Sequence, residues 1–370
     1  MNNQLRILVC PLNWGLGHAS RMVPVIQQIL KHEIDILIAA DGEALEFLRK
    51  EFHNLKFLSF SQYQVKYSSS NSQVFSMFRI IPEMVFYSIK EHFALKKIIK
   101  QEKINCVISD NRYGLWNSSV HSIFITHQLR VKFPGILKLF EPVFQWITKS
   151  IIKNFDECWI PDFSDDTNLS GKLSHDINYP KLNYIGPLSR FKKEDLSKEE
   201  KKTYDCLLIL SGPEPQRTIL EQKFYDQVTL NDYKTAIVRG TNSNEILEST
   251  TNVDVFELLD SRALLQLIAK SDLVICRSGY SSIMDMIALN KTAVLVPTPG
   301  QTEQEYLSNY LYEKGFFYTL SQKEFCIDKA IKNKIVFSKN SFDLGEDLLK
   351  QKITDLKRLL ENIENNKGNN

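Results

Sequence analysis

The 370-residue sequence has no run of 18 or more apolar residues, no C-x-x-C pair and no excess of either charge. Without a long apolar run a membrane-spanning helix is not expected. The opening MNNQLRILVCPLNW carries one arginine and too short an apolar stretch to read as a signal peptide, so the expected location is cytoplasmic. Six cysteines (Cys10, Cys106, Cys158, Cys206, Cys276 and Cys326) lie far apart, the first five in apolar β-rich runs. They read as reduced, buried and inert, with no metal or redox role. Forty-six basic against 44 acidic residues leave +2, too weak a field for nucleic acid, which is not an expected partner. What is present is ordinary globular material, 43% apolar and 11% aromatic, in a chain long enough for two domains.

Short β-branched runs recur at 6–10, 34–40, 55–60, 104–110, 122–126 and 157–161, with helix-period stretches at 19–31, 42–52 and 74–100. Continuous apolar strands alternating with helices predict a parallel sheet covered on both faces. The charged stretch RFKKEDLSKEEKK then interrupts the pattern, and strands resume at 205–210, 234–240, 252–259, 272–279 and 292–297. Helices are expected between them, near 214–230, 261–270, 280–289 and 302–314. The fold class is therefore α/β, two Rossmann-like doubly wound domains. The expected boundaries are 1–190 for the first domain, 191–203 for a linker and 204–345 for the second. Residues 346–363 place Leu349, Ile353, Leu356, Leu360 and Ile363 on one helical face for docking, and 364–370 read as a frayed tail.

In α/β sheets ligands gather at the carboxyl ends of the strands. The first strand runs into PLNWGLGHASR, with Gly15 and Gly17 in the turn and a helix expected from His18 or Ala19. Such glycines let backbone N–H groups approach a ligand, but a third glycine and a following acidic residue are missing, so dinucleotide binding is not supported. His18 reads as a general base or acid, or as a helix-start histidine satisfied by backbone. Asp110, in SDNRYG at the end of a later strand, can orient that imidazole, cap a helix, or bind Arg112. His127 and Gln128 follow another strand and line the same rim or a loop surface.

In the second half, Ser278 and Gly279 end a strand and open a helix carrying Ser281 and Ser282, a strand-turn-helix cradle for an anion. Asp285 follows on that helix, where a carboxylate can accept two hydrogen bonds from a ribose diol. Gln301, Thr302, Glu303, Gln304 and Glu305 surround the next helix start.

SGYSSIMD followed by PTPGQTEQEY resembles the nucleotide-sugar-binding half of family 28 glycosyltransferases, and GLGHASR resembles the glycine loop of their first domain. The family includes the lipid II-forming N-acetylglucosaminyltransferase of peptidoglycan synthesis. The resemblance implies two Rossmann domains facing across a cleft (the GT-B type), with a C-terminal helix returning to the first. It further implies a UDP-sugar donor and a glycan or lipid-linked acceptor. Residue by residue it implies that Asp285 replaces a glutamate holding the ribose, and that Gln304 and Glu305 match paired glutamines, the second being an acid here. Ser211 and Gly212 match the phosphate-side turn, though Pro213 and Pro215 replace a second glycine. Leu259 sits where backbone reads uracil, and Arg190 is placed to reach the diphosphate. Gly15, Gly17, Arg21 and His127 belong to the acceptor side.

No D-x-D occurs, so the expected mechanism uses neither metal nor cofactor, and helix N-termini with arginine stabilise the leaving UDP. His18 oriented by Asp110 is the expected base of an inverting transfer. Two alternatives stand: a UDP-sugar hydrolase, since G-x-G-H-x-x-R also resembles the hydrolase of pseudaminic acid synthesis, and a non-catalytic nucleotide-sugar-binding protein. Residues 75–153 hold 12 Lys and Arg against 5 Asp and Glu, interleaved with Phe75, Phe78, Ile80, Ile81, Val85, Phe86 and Ile89, then with Phe133, Ile136, Leu137, Leu139, Phe140, Val143, Phe144, Trp146 and Ile147. These are core helices, or basic amphipathic helices meeting the inner face of a membrane.

Overall fold

The computed structural model describes residues 4–60, 73–133, 135–177, 179, 181–196, 201–240, 247–337 and 348–368, without the side chains of 73–81, 136, 335–337 and 367–368. The chain divides into two compact units: the first takes in the C-terminal helix, and the second holds the described residues from Phe191 to 337 together with 73–76.

The first unit is a seven-stranded parallel sheet. Its strands are β1 (Arg6–Cys10), β2 (Asp35–Ala40), β3 (Lys56–Ser59), β4 (Cys106–Asp110), β5 (His121–Ile125), β6 (Glu157–Ile160) and β7 (Leu182–Tyr184), in the spatial order β3-β2-β1-β4-β5-β6-β7. The connecting helices are α1 (Leu16–Leu30), α2 (Gly42–Glu51), α3 (Gln73–Glu102) and α4 (Glu141–Ile152). Strands β1 and β4 are buried almost throughout, as a sheet covered on both faces requires. β7 is only three residues long, too short to announce itself as an apolar run.

The second unit repeats the plan with β8 (Tyr204–Ile209), β9 (Thr235–Val238), β10 (Val253–Phe256), β11 (Ser271–Cys276), β12 (Ala293–Leu295) and β13 (Tyr318–Thr319), ordered β10-β9-β8-β11-β12-β13 and all parallel. Its helices are α5 (Gln216–Val228), α6 (Ser261–Lys270), α7 (Tyr280–Ala288), α8 (Thr302–Glu313) and α9 (Ile327–Phe337). Its core joins Leu208, Ile237 and Ile275 from the strands to Leu220 and Phe224 of α5. In each sheet the strand order reverses direction once, between β1 and β4 and between β8 and β11, the switch points where α/β sheets open a crevice.

The last helix, α10 (Leu348–Gly368), buries Leu349, Ile353, Leu356 and Leu360 and packs along α1. Lys352 on it reaches Glu157 Oε2 at 2.5 Å and Asn183 Oδ1 at 3.0 Å. The expected frayed tail from 364 is corrected: nothing in Glu364–Lys367 breaks the ladder, and the helix continues to Gly368. Residues 346, 347, 369 and 370 lie outside the described residues. In the expected linker, a short 3-10 turn occupies Lys193–Asp195, and residues 197–200 are outside the description.

All six cysteines are free thiols, five of them buried, and burial pushes Cys10 and Cys276 up to about 12. No helix among the described residues is long and apolar enough to cross a membrane.

Candidate functional site

The switch point of the first sheet is set by strand register. β1 and β4 pair with Cys10 opposite Ser109, so the chain leaving β1 and the last residue of β4, Asp110, emerge side by side. Gly15 then takes φ 86, a left-handed value that glycine adopts without a Cβ penalty, and caps α1. The helix starts at Leu16, earlier than expected, because the turn is complete at Gly15; Gly17 and His18 are therefore in its first turn.

His18 Nδ1 lies 3.0 Å from Asp110 Oδ2, although the two are 92 positions apart. The group between them is Arg21, which the sequence places on the acceptor side without showing its partners. One turn further along α1, its Nε donates to Asp110 Oδ1 and Oδ2 at 3.0 and 3.1 Å, its Nη2 donates to Oδ1 and lies 2.9 Å from His18 Nδ1, and its Nη1 lies 3.1 Å from His127 Nδ1. Arg21 was expected in an acceptor loop; it is instead 2% exposed on a helix, because a buried carboxylate needs a buried counter-charge.

The electrostatics follow from this arrangement. Burial pushes the Asp110 carboxyl up, but the Arg21 charge and then His18 outweigh it, and Asp110 is held below its ordinary value. Burial and then the Arg21 charge hold the His18 imidazole below its ordinary value, against the pull of Asp110. A neutral imidazole whose Nδ1–H donates to Asp110 leaves Nε2 as a base. His127 is buried in the same cluster. Of the readings open for Asp110, pairing with Arg112 is corrected: Arg112 Nη2 donates to Glu91 at 2.9 Å, a separate buried ion pair. Gln128 is half-buried, and its N–H donates to Thr126 Oγ1.

In the second unit the expected donor residues gather at the other switch point, after β8 and β11. Ser211 and Gly212 form an exposed turn, with Gly212 at φ 95. Gly279 caps α7, and a Cβ there would meet nothing within 4 Å, so the start of α7 is open. Ser281 and Ser282 are half-buried in its first turn, and Asp285 is 7% exposed one turn on. Leu259 precedes Asp260, whose Oδ1 caps α6 by accepting from the Ala263 N–H at 2.8 Å.

Three of the expected donor residues have partners within the protein. The Ser278 hydroxyl is buried and donates to the Gln304 carbonyl at 2.8 Å, tying α7 to α8. Gln304 turns inward: its Oε1 accepts from the Thr298 N–H at 2.9 Å and its Nε2 donates to Gln301 at 2.6 Å, so it shapes the PTPG loop. Glu305 is exposed and accepts from the Gly300 N–H at 2.9 Å. Arg190 belongs to the first unit, its guanidinium carbon 5.6 Å from the Phe47 ring centroid.

Residues 206–359 match the family model of the glycosyltransferase family 28 C-terminal domain. This stretch is similar to a family 28 glycosyltransferase domain. It runs past the second unit into α10, the helix that packs on the first. A curated relative from a Sulfurihydrogenibium species, a UDP-N-acetylglucosamine--N-acetylmuramyl-(pentapeptide) pyrophosphoryl-undecaprenol N-acetylglucosamine transferase, is 25% identical over 165 residues, 43% of this chain. The match spans 46% of that relative, about half its length. An uncharacterized glycosyltransferase of Methanosarcina acetivorans is 21% identical over 90% of this chain and 92% of its own. Among solved structures, the glycotransferase of kitacinnamycin has a TM-score of 0.62 at 12% identity, covering 98% of this chain and 96% of its own. Acinetobacter baumannii MurG has 0.57 at 12%, covering 95% and 98%. These solved structures share the two-sheet fold of this chain, that of GT-B glycosyltransferases.

Proposed function

We propose that this protein is a metal-independent, inverting glycosyltransferase that moves a sugar, N-acetylglucosamine first among the candidates, from a UDP donor to a hydroxyl of a glycan or lipid-linked acceptor. The observation that carries the reading is the His18–Asp110–Arg21 cluster at the switch point of the first sheet, in the same chain as a stretch similar to a family 28 domain. The acceptor hydroxyl gives its proton to His18 Nε2 while its oxygen bonds to the anomeric carbon. The bond from that carbon to the UDP oxygen breaks, and the electron pair leaves with UDP. Asp110 keeps Nδ1 protonated and the ring oriented, and Arg21 keeps Asp110 ionised. The N-termini of α5 and α7 favour the charge that develops on the diphosphate, and Asp285 is the proposed ribose ligand.

A UDP-sugar hydrolase would use the same groups with water as acceptor. The exposed apolar residues Val85, Phe86, Ile89 and Phe93 of α3 and Val143, Trp146 and Ile147 of α4 favour a lipid-linked acceptor and peripheral contact with the inner face of a membrane.

The test is UDP release from a panel of nucleotide sugars, with and without lipid extract, in EDTA. Release that depends on the lipid extract and survives EDTA supports the transferase. Equal release without acceptor makes it a hydrolase, release restored only by manganese or magnesium ends the metal-independent reading, and no release from any donor ends both enzyme readings.

A further inference from the structure

The carboxyl end of the second sheet contains a buried cation with no anion among the described residues. Arg277 follows β11 and is wholly buried. Its Nη2 donates to the Gln216 carbonyl at 2.6 Å and its Nη1 to the Val296 and Pro297 carbonyls, both at 3.3 Å, while its Nε has no partner. Other buried arginines have carboxylates: Arg21 has Asp110, Arg112 has Glu91 and Arg239 has Glu221. Arg277 has none among the described residues, and burial, with no opposing carboxylate, lowers its pKa to about 10.

Two more buried polar atoms without a partner stand beside it. Thr298 Oγ1 is one, 1% exposed and 3.6 Å from where a Cβ on Gly212 would lie. The other is Gln322 Oε1, whose side chain donates through Nε2 to Gln216 Oε1 at 2.8 Å. Three of the five such atoms among the described residues are thus gathered at the carboxyl ends of four neighbouring strands, β8, β11, β12 and β13. Isolated buried charge is costly, and native proteins tolerate it where a partner completes the site.

Resting on the nucleotide-sugar reading above, we propose that Arg277 is a positioning residue for the donor's diphosphate. It clamps the start of α5 to the loop after β12, so that the Gly212 turn and the Thr298 hydroxyl face the diphosphate, and its unneutralised charge selects a dianion over a neutral nucleoside. The side chain acts from beneath the loops; their backbone and Thr298 make the contact.

The experiment measures UDP and uridine affinity by calorimetry for the full chain and for Arg277→Gln, Arg277→Lys and Thr298→Val. The expected result is a fall in the UDP-to-uridine affinity ratio of about tenfold or more in Arg277→Gln, the size of losing one charge-assisted interaction, with partial recovery in Arg277→Lys. Thr298→Val, expected to lower the same ratio about threefold or more, decides the matter if Arg277→Gln does not fold. An unchanged ratio in a folded Arg277→Gln, or in Thr298→Val where Arg277→Gln fails to fold, overturns the proposal, since a merely structural clamp lowers both affinities together. If the wild-type protein binds uridine and UDP equally or not at all, the nucleotide-sugar reading itself fails, a distinct outcome.

Discussion

His18 is positioned by a carboxylate whose charge is already matched by Arg21, and two consequences follow for single residues. A general base contributes about 10² to 10⁴-fold, so His18→Ala is expected to cut turnover by that factor with UDP affinity unchanged, read by steady-state kinetics beside calorimetry. Because the folded pKa of His18 is lowered, the neutral base persists below its ordinary value of 6.5, and the acid limb of kcat/KM is expected below that pH. Arg21→Met removes a charge that lowers His18 and leaves Asp110 buried without its cation. The limb should move to higher pH, and stability should fall by about 3–5 kcal/mol in urea unfolding. A limb that does not move would separate Arg21 from the chemistry.

Among the elements, α10 shows how a helix at the end of the chain is tied to the first sheet. Ile353 is completely buried on its inner face, and Ile353→Ala should cost about 2–5 kcal/mol, seen as a lower urea midpoint. Lys352 adds an ion pair to Glu157, which also accepts from Trp159 and faces His121. Burial pushes the Glu157 carboxyl up, but those three partners outweigh it and hold it at about 2. A carboxylate depressed on folding stabilises above its unfolded pKa and loses that contribution as pH falls through the folded one. The gap in unfolding free energy between wild type and Glu157→Gln should therefore be complete, at about 3 kcal/mol, above pH ~5 and should close between pH ~4.5 and ~2. The apolar periodicity that named this helix also foretold four of its buried residues, the fifth, Ile363, being only half-buried. It could not show Lys352 and Glu157 meeting, since that contact depends on how far the helix slides along α1.

At the scale of the whole molecule, the charge-rich stretch 75–153 was open to two readings, core or surface. Phe133 is buried, whereas Phe86 and Trp146 are 64% and 68% exposed; Phe75, Phe78, Ile80, Ile81 and Ile136 lie outside the described side chains. Large apolar side chains left in water on lysine-bearing helices predict binding to anionic vesicles in sedimentation assays. Phe86→Ser with Trp146→Ser should weaken that binding roughly tenfold or more, at about 25 cal/mol per Å² of apolar surface lost. Equal sedimentation of the double variant would remove α3 and α4 from the membrane reading.

The sequence by itself determined the two parallel sheets, because a strand buried on both faces must be apolar along its whole length, a pattern visible within five or six residues. It also placed His18, Asp110, Gly212 and Gly279 towards the carboxyl ends of strands, since each closes such a run or lies in the segment that leaves it. Tertiary structure alone decided the partners. In the chain Arg21 reads as part of the acceptor side and Arg277 as an ordinary arginine, and nothing local distinguishes a surface arginine from a buried one. Only the register of β1 against β4, and the gathering of β8, β11, β12 and β13, bring distant groups within hydrogen-bond reach. The same packing turned Ser278 and Gln304 inward, because a buried hydroxyl or amide takes the nearest backbone partner before it can serve a ligand.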